Sequence, residues 1–174
     1  MRLAGISSVS RILSILICLS LAFGVMLTQT SANAQTSTKL KIPRMVSVKA
    51  EGVNVRAGPG ISYAIKWVLM RRHYPVEIIA EYQSWRKVRD WEGAEGWIFH
   101  SALASTRSVI IDDNNVVLRR LSSSSSPAVA RPAAGVVGLV ETCESLWCFV
   151  KIRSYQGWIE RDNLWGLYPD EQLD

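Results

Sequence analysis

From residue 43 onward, apolar and polar positions alternate in short runs with a period of two, and no stretch repeats at the helical period. Residues 45–49 (Met-Val-Ser-Val-Lys) show the alternation of a half-buried strand, and Glu51-Gly52 supplies a turn into a second strand over residues 53–56. That strand stops at Gly58-Pro59-Gly60, where proline cannot donate to a ladder and glycine accepts φ > 0. Residues 61–69 carry Tyr63, Ile65, Trp67 and Leu69 two apart, which predicts a long loop feeding a strand. The β-branched run over residues 76–82, a turn at Gln83-Ser84 and the returning run over residues 85–90 predict a hairpin. Gly96-Trp97-Ile98-Phe99 reads as a closing strand, and residues 100–103 have room for one tight helical turn.

The same order then returns. Residues 108–111, a turn over 112–115 and residues 116–119 match the first two strands, while a serine-rich low-complexity insert over residues 122–126 replaces Gly58-Pro59-Gly60. Residues 136–143 and 147–153 form a second hairpin with Trp147 in the place of Trp85, and Gly157-Trp158-Ile159 closes the copy. Two copies of short strands with frequent turns predict an all-β protein of two tandem units, each a barrel or a sandwich. The boundaries expected are residues 45–105 for the first domain, 106–168 for a diverged second one and 169–174 for a tail, with a polar linker over 35–44. A unit of this size is small for independent stability, so Trp97 and Trp158 are assigned to the two structural cores.

Residues 1–34 place Arg2 and Arg11 before an apolar run, then Ala32 and Ala34 at the small positions that signal peptidase reads. A cleaved export signal is expected, with an uncleaved anchor as the alternative; the location implied is the periplasm or cell envelope, with no membrane attachment after cleavage. Cleavage removes two arginines and leaves 18 basic against 15 acidic residues, a net charge of +3. Both signs are interspersed, and the nearest basic cluster is Arg86-Lys87-Val88-Arg89, too little for a nucleic-acid partner. Of three cysteines, Cys143 and Cys148 remain after cleavage, and in an oxidising compartment the pair reads as a disulfide across a hairpin. Two histidines and no Cys-x-x-Cys leave no metal site.

Asn54-Val55-Arg56-Ala57-Gly58-Pro59, followed by Val76-Glu77-Ile78, Trp85-Arg86-Lys87-Val88 and Gly96-Trp97-Ile98, resembles the opening, hairpin and close of the bacterial SH3-like (SH3b) domain. Residues 107–166 resemble a diverged second copy that keeps Leu118-Arg119 but not the Gly-Pro step. The resemblance implies an all-β fold of two tandem small SH3-like β barrels, each of five to six strands, in an exported, envelope-associated protein. Family members are usually non-catalytic modules that target peptidoglycan or contact other proteins, often beside cell-wall hydrolase domains, and it implies no cofactor.

Candidate chemistry is thin. No G-x-S-x-G, H-E-x-x-H or phosphate loop occurs, and His73 and His100 read as surface and strand-end residues. Glu77 and Glu81, four apart, would share a face of a regular strand as glycosidase carboxylates do, which keeps a cell-wall hydrolase as an alternative; a solvated charged strand predicts the same spacing. Tyr63, Trp67, Tyr74, Tyr82 and Trp91 lie in or beside loops, where rings can stack on sugars or grip an extended peptide. They are the candidate ligand-binding residues, with peptidoglycan or an envelope protein as the partner. A purely structural subunit, its two barrels burying those rings against each other, is the further alternative. Arg56 is expected to tie down a neighbouring loop, and no catalytic residue is assigned.

Overall fold

The computed structural model describes residues 40–144, 146–169 and 171–173. The expected export signal over residues 1–34 lies outside them, as do residues 35–39 of the linker. The first set of strands is β1 (Arg44–Val48), β2 (Val53–Arg56), β3 (Ile65–Leu69), β4 (Pro75–Tyr82), β5 (Trp85–Arg89), β6 (Glu95–Phe99) and β7 (Leu103–Ala104). The second is β8 (Ser108–Ile111), β9 (Leu118–Arg119), β10 (Ala128–Ala130), β11 (Val137–Cys143), β12 (Trp147–Ile152), β13 (Tyr155–Glu160) and β14 (Leu164–Trp165). A single 3-10 turn precedes the last strand of each set, at His100–Ala102 and Arg161–Asn163.

The sheet orders are β3-β2-β6-β5-β4-β1-β7 and β10-β9-β13-β12-β11-β8-β14. Strand for strand these are one topology, built twice and antiparallel throughout. Each set curls round its own core. In the first, Val48, Val55, Val76, Ile78, Val88 and Ile98 are buried together. In the second, Val109, Ile111, Leu118, Cys148, Val150 and Ile159 occupy the same role.

The closing triplets work differently from the expectation. Ile98 and Ile159 are fully buried in the cores, whereas Trp97 and Trp158 are only half-buried and belong to neither core. Successive strand residues point to opposite faces, so a glycine and an isoleucine directed inward leave the tryptophan between them directed outward. Trp158 instead meets Phe149 edge to face, 5.5 Å between ring centroids. The glycines have a steric reason. A Cβ on Gly157 would collide with the Arg119 carbonyl oxygen, and one on Gly96 would lie 3.1 Å from the Arg56 carbonyl oxygen.

A bulge interrupts each long hairpin at equivalent places, between Ile78 and Ala80 and between Val140 and Thr142. Beyond the bulge, Glu81 faces Arg86 in the first barrel where Cys143 faces Cys148 in the second. The first pair is an ion pair at 3.0 Å, joined by Arg44 at 2.5 Å, and the second is a disulfide. One cross-strand position is thus clasped by charge in one copy and by a covalent bond in the other.

The serine-rich insert is better ordered than its composition implies. Ser126 is buried, its Oγ accepts from the Leu121 N–H at 2.9 Å, and its carbonyl accepts from Arg119 at 2.7 Å. Arg56 does the same in the first barrel, donating to the carbonyls of Ile61 at 3.0 Å and Tyr63 at 2.8 Å. The two barrels also touch. The Tyr168 hydroxyl donates to Glu77 at 2.9 Å, and Arg71 donates to the Gly135 carbonyl at 2.7 Å.

Candidate functional site

β2 and β6 share one register pair, Arg56 with Trp97, and beyond it the strands separate. The gap is a groove of ≈ 440 Å³, floored by Val53 and Ile98 and bordered by Asn54, Arg56, Ile61, Trp85 and Phe99. Trp85 and Phe99 are cross-strand partners whose rings meet edge to face at 5.5 Å. His100 continues the row at 4.9 Å from Phe99, and Tyr82 extends it on the other side as the register partner of Trp85. Arg86 holds the hairpin end still by donating to the carbonyls of Gln83 and Trp85 at 2.8 and 3.0 Å.

The opposite lip is the loop after β2. Arg56 is turned toward it and spends its guanidinium on the Ile61 and Tyr63 carbonyls. Ile61 is left 83% exposed at the edge of the groove, and Phe99 is 42% exposed across from it. Large apolar groups held out in water beside a concave floor are a recognition surface, since each gains by being covered. No carboxylate, cysteine or serine lines the groove, so it offers contact area and the Asn54 amide, not acid–base or nucleophilic chemistry.

The second barrel opens at the equivalent place. β9 and β13 are joined by the single pair Arg119 with Trp158, and the cleft beside them is lined by Val116, Val117, Arg119, Trp147 and Glu160. It measures ≈ 100 Å³. Glu160 stands where Phe99 stands, paired with Trp147 as Phe99 is with Trp85. The serine loop carries no counterpart of Ile61 into the lining. Duplicate geometry with divergent lining puts the open, apolar version in the first barrel alone.

The five loop aromatics named from sequence part company here. Tyr63 borders the site: its ring folds over Gly58 and Gly60, and a side chain on Gly58 would come within 2.7 Å of the ring, while its carbonyl takes the Arg56 bond. Tyr82 lies on the aromatic row and is 53% exposed. Trp67 does not face the groove; as cross-strand partner of the fully buried Val55 it shares the inward face and covers the core beside Gly96. Tyr74 packs against the same core. Burial, followed by the charges of Asp90 and Glu92, pushes its hydroxyl up to about 12, against a smaller opposing effect of a hydrogen bond with the Trp91 side chain. Trp91 in turn faces the second barrel, where a Cβ on Gly135 would sit 3.9 Å from its ring. Trp67, Tyr74 and Trp91 are therefore elements of packing and of the barrel junction.

Sequence reasoning named none of Phe99, Ile61, Asn54 and Trp85 as ligand-binding residues. Counting outward from Ile98 would have flagged Phe99 as an exposed aromatic, and pairing the hairpin with the closing strand would have set Trp85 beside it. Glu77 and Glu81 do not share a face. The bulge adds a residue between them, so Glu77 opposes Arg89 and Glu81 opposes Arg86, three apart on the partner strand and out of phase. Glu77 accepts from Tyr168 and lies 3.6 Å from Arg89; Glu81 is bound by Arg44 and Arg86. Among the described residues no three His, Cys, Asp or Glu gather as a metal ion would need, and no helix is long and apolar enough to cross a membrane.

The profile of the family described as bacterial SH3 domain matches residues 49–104 and again residues 112–166, more than half of the chain. The chain belongs to the bacterial SH3 domain family. Its two SH3 domains are the two barrels, and the groove lies between the loop after β2 and the aromatic edge of the first. Similar solved structures include NlpC2 from Trichomonas vaginalis, 16% identical with a TM-score of 0.35, covering 76% of this chain and 51% of that one. NlpC1 from the same organism is 19% identical with a TM-score of 0.33, covering 79% of this chain and 50% of that one. The chain thus spans about half the length of each, and at that level of likeness nothing about activity passes between them. No curated protein matches the chain.

Proposed function

We propose that this is an exported, non-catalytic binding protein of the bacterial cell envelope. Its first SH3 domain takes cell-wall peptidoglycan, through the peptide or the glycan, in the groove between Ile61 and the Trp85–Phe99 row. The observation that carries this reading is the duplicated groove. Where the second copy is small and lined by Glu160, the first is wide, apolar and edged by exposed rings. Aromatic faces suit sugar rings and extended peptide alike, and the lining holds no acid or nucleophile. The engagement of Glu77 and Glu81 by tyrosine and arginine partners speaks against their use as a hydrolytic pair.

Sedimentation of the purified protein with intact peptidoglycan sacculi tests the proposal. The protein is expected in the pellet at low salt, and Phe99→Ala with Ile61→Ser should lower its affinity by about tenfold, the usual cost of losing a central apolar anchor. Glu160→Ala in the second domain should leave retention unchanged. Retention unaffected by the double substitution would remove the groove from the account, and no retention at all would leave an envelope protein as the partner. Release of muropeptides that disappears in Glu77→Gln would establish the hydrolase instead.

A further inference from the structure

The second barrel carries a separate cavity that shares no lining residue with its reduced groove. It measures ≈ 230 Å³, and its floor is the fully buried Leu118 with Ile152, walled by Pro132 and Val136. At its mouth stand the exposed side chains of Arg131 and Arg153 and the half-exposed Tyr155. No acidic residue lines it. Among the described residues, neither Arg131 nor Arg153 has a hydrogen-bond or ion-pair partner from its side chain, whereas Arg44, Arg56, Arg107, Arg119 and Arg161 all do. Arg153 also holds the tight turn between β12 and β13 with φ at 53°, a left-handed backbone that a non-glycine residue adopts at some cost.

We infer that this cavity is a binding site for the free C-terminal carboxylate of a peptide ending in a small aliphatic residue. Two unneutralised guanidiniums and a phenol at the mouth, with no acid among them, select an anion, and guanidinium matches a carboxylate's two oxygens. The floor beneath is wholly aliphatic and would exclude charge. An aspartate or glutamate side chain entering it would carry its carboxylate down onto Leu118 and Ile152, where desolvation is unfavourable. A terminal residue avoids this, because alkyl group and carboxylate branch from one carbon: the first goes down and the second stays at the mouth. The volume is below the roughly 300–1,000 Å³ of ordinary small-molecule sites, which suits an end group and not a chain passing through. The site shares no residue with the groove of the first barrel and stands whether or not that groove binds.

Titration of the isotopically labelled full protein with N-acetyl-Ala-Ala, followed by amide chemical shifts, tests the assignment. Saturable shifts are expected at residues 130–137 and 152–155, and the C-terminal amide of the same dipeptide should bind at least about tenfold more weakly, since it loses the charge-assisted hydrogen bonds. Arg131→Ala and Arg153→Asn should each weaken the free acid by a similar factor while leaving the amide's affinity unchanged; asparagine tolerates the left-handed turn, so the fold is kept. Raising salt should weaken the acid alone. Equal affinity for acid and amide, shifts centred on Trp85 and Phe99 instead, or no saturable shift would each overturn the site.

Discussion

Replacing both Cys143 and Cys148 by alanine tests how the second barrel is held. The bridge closes a loop of sequence separation 5, and in the chain-entropy description a loop that short is worth about 2 kcal/mol. Both sulfurs lie in the barrel core, with Cys148 fully buried and Cys143 5% exposed, so deleting them adds roughly 1–2 kcal/mol of lost packing. The bond from the Cys143 N–H to the Leu173 carbonyl is backbone to backbone and survives the substitution, which leaves the C-terminal segment docked. The expected loss is therefore about 3–4 kcal/mol, a fall in Tm on the order of 10 °C by calorimetry or circular dichroism. The equivalent clasp in the first barrel is the Glu81 ion pair with Arg86 and Arg44, whose side chains are about a fifth exposed; Arg86→Ala should cost only about 1 kcal/mol and its effect should shrink with salt. A fall of less than about 2 °C in the double alanine variant, or two free thiols in the unmodified protein under denaturing conditions, would refute this account.

Two further outcomes follow from single residues. Because the Tyr74 hydroxyl is pushed up to about 12, its contribution to stability is complete below the ordinary tyrosine value of 10 and is lost as pH rises through 12; burial and the bond to Glu77 also raise Tyr168, so Tyr74→Phe should remove one late-ionising phenolate and leave that of Tyr168, and a titration unchanged by the substitution would contradict it. Gly157→Ala should destabilise by roughly 1–3 kcal/mol in denaturant unfolding, since the new methyl meets the Arg119 backbone and not a yielding side chain, and a neutral result would mean that β9 moves aside at little cost.

Much of the barrel plan was legible along the chain. The period-two runs, the Gln83-Ser84 turn and the doubled Gly-Trp-Ile identified two all-β units, because side-chain alternation is local and each hairpin lies within one stretch of sequence. Arg56 as a loop anchor and the Cys143–Cys148 bridge were legible for the same reason, each joining positions a few residues apart. Trp97 and Trp158 were misplaced because size was taken as the mark of a core residue, when the phase set by the neighbouring glycine and isoleucine decides the face. The shared face of Glu77 and Glu81 failed on a bulge, which composition does not mark.

Alternation and the doubled Gly-Trp-Ile carry the architecture and its duplication along the chain, and the cysteine spacing carries the bridge. Which rings act together depends on how the strands pair in space. Trp85 and Phe99 are brought side by side by the pairing of β5 with β6, and Ile61 faces them because Arg56 folds its loop over the gap that β2 leaves. Trp91, by contrast, is drawn to the junction with the second barrel by its place in the turn opposite Gly135. A groove is a relation between strands that part company in space, and alternation along one strand carries no record of where its neighbour turns away.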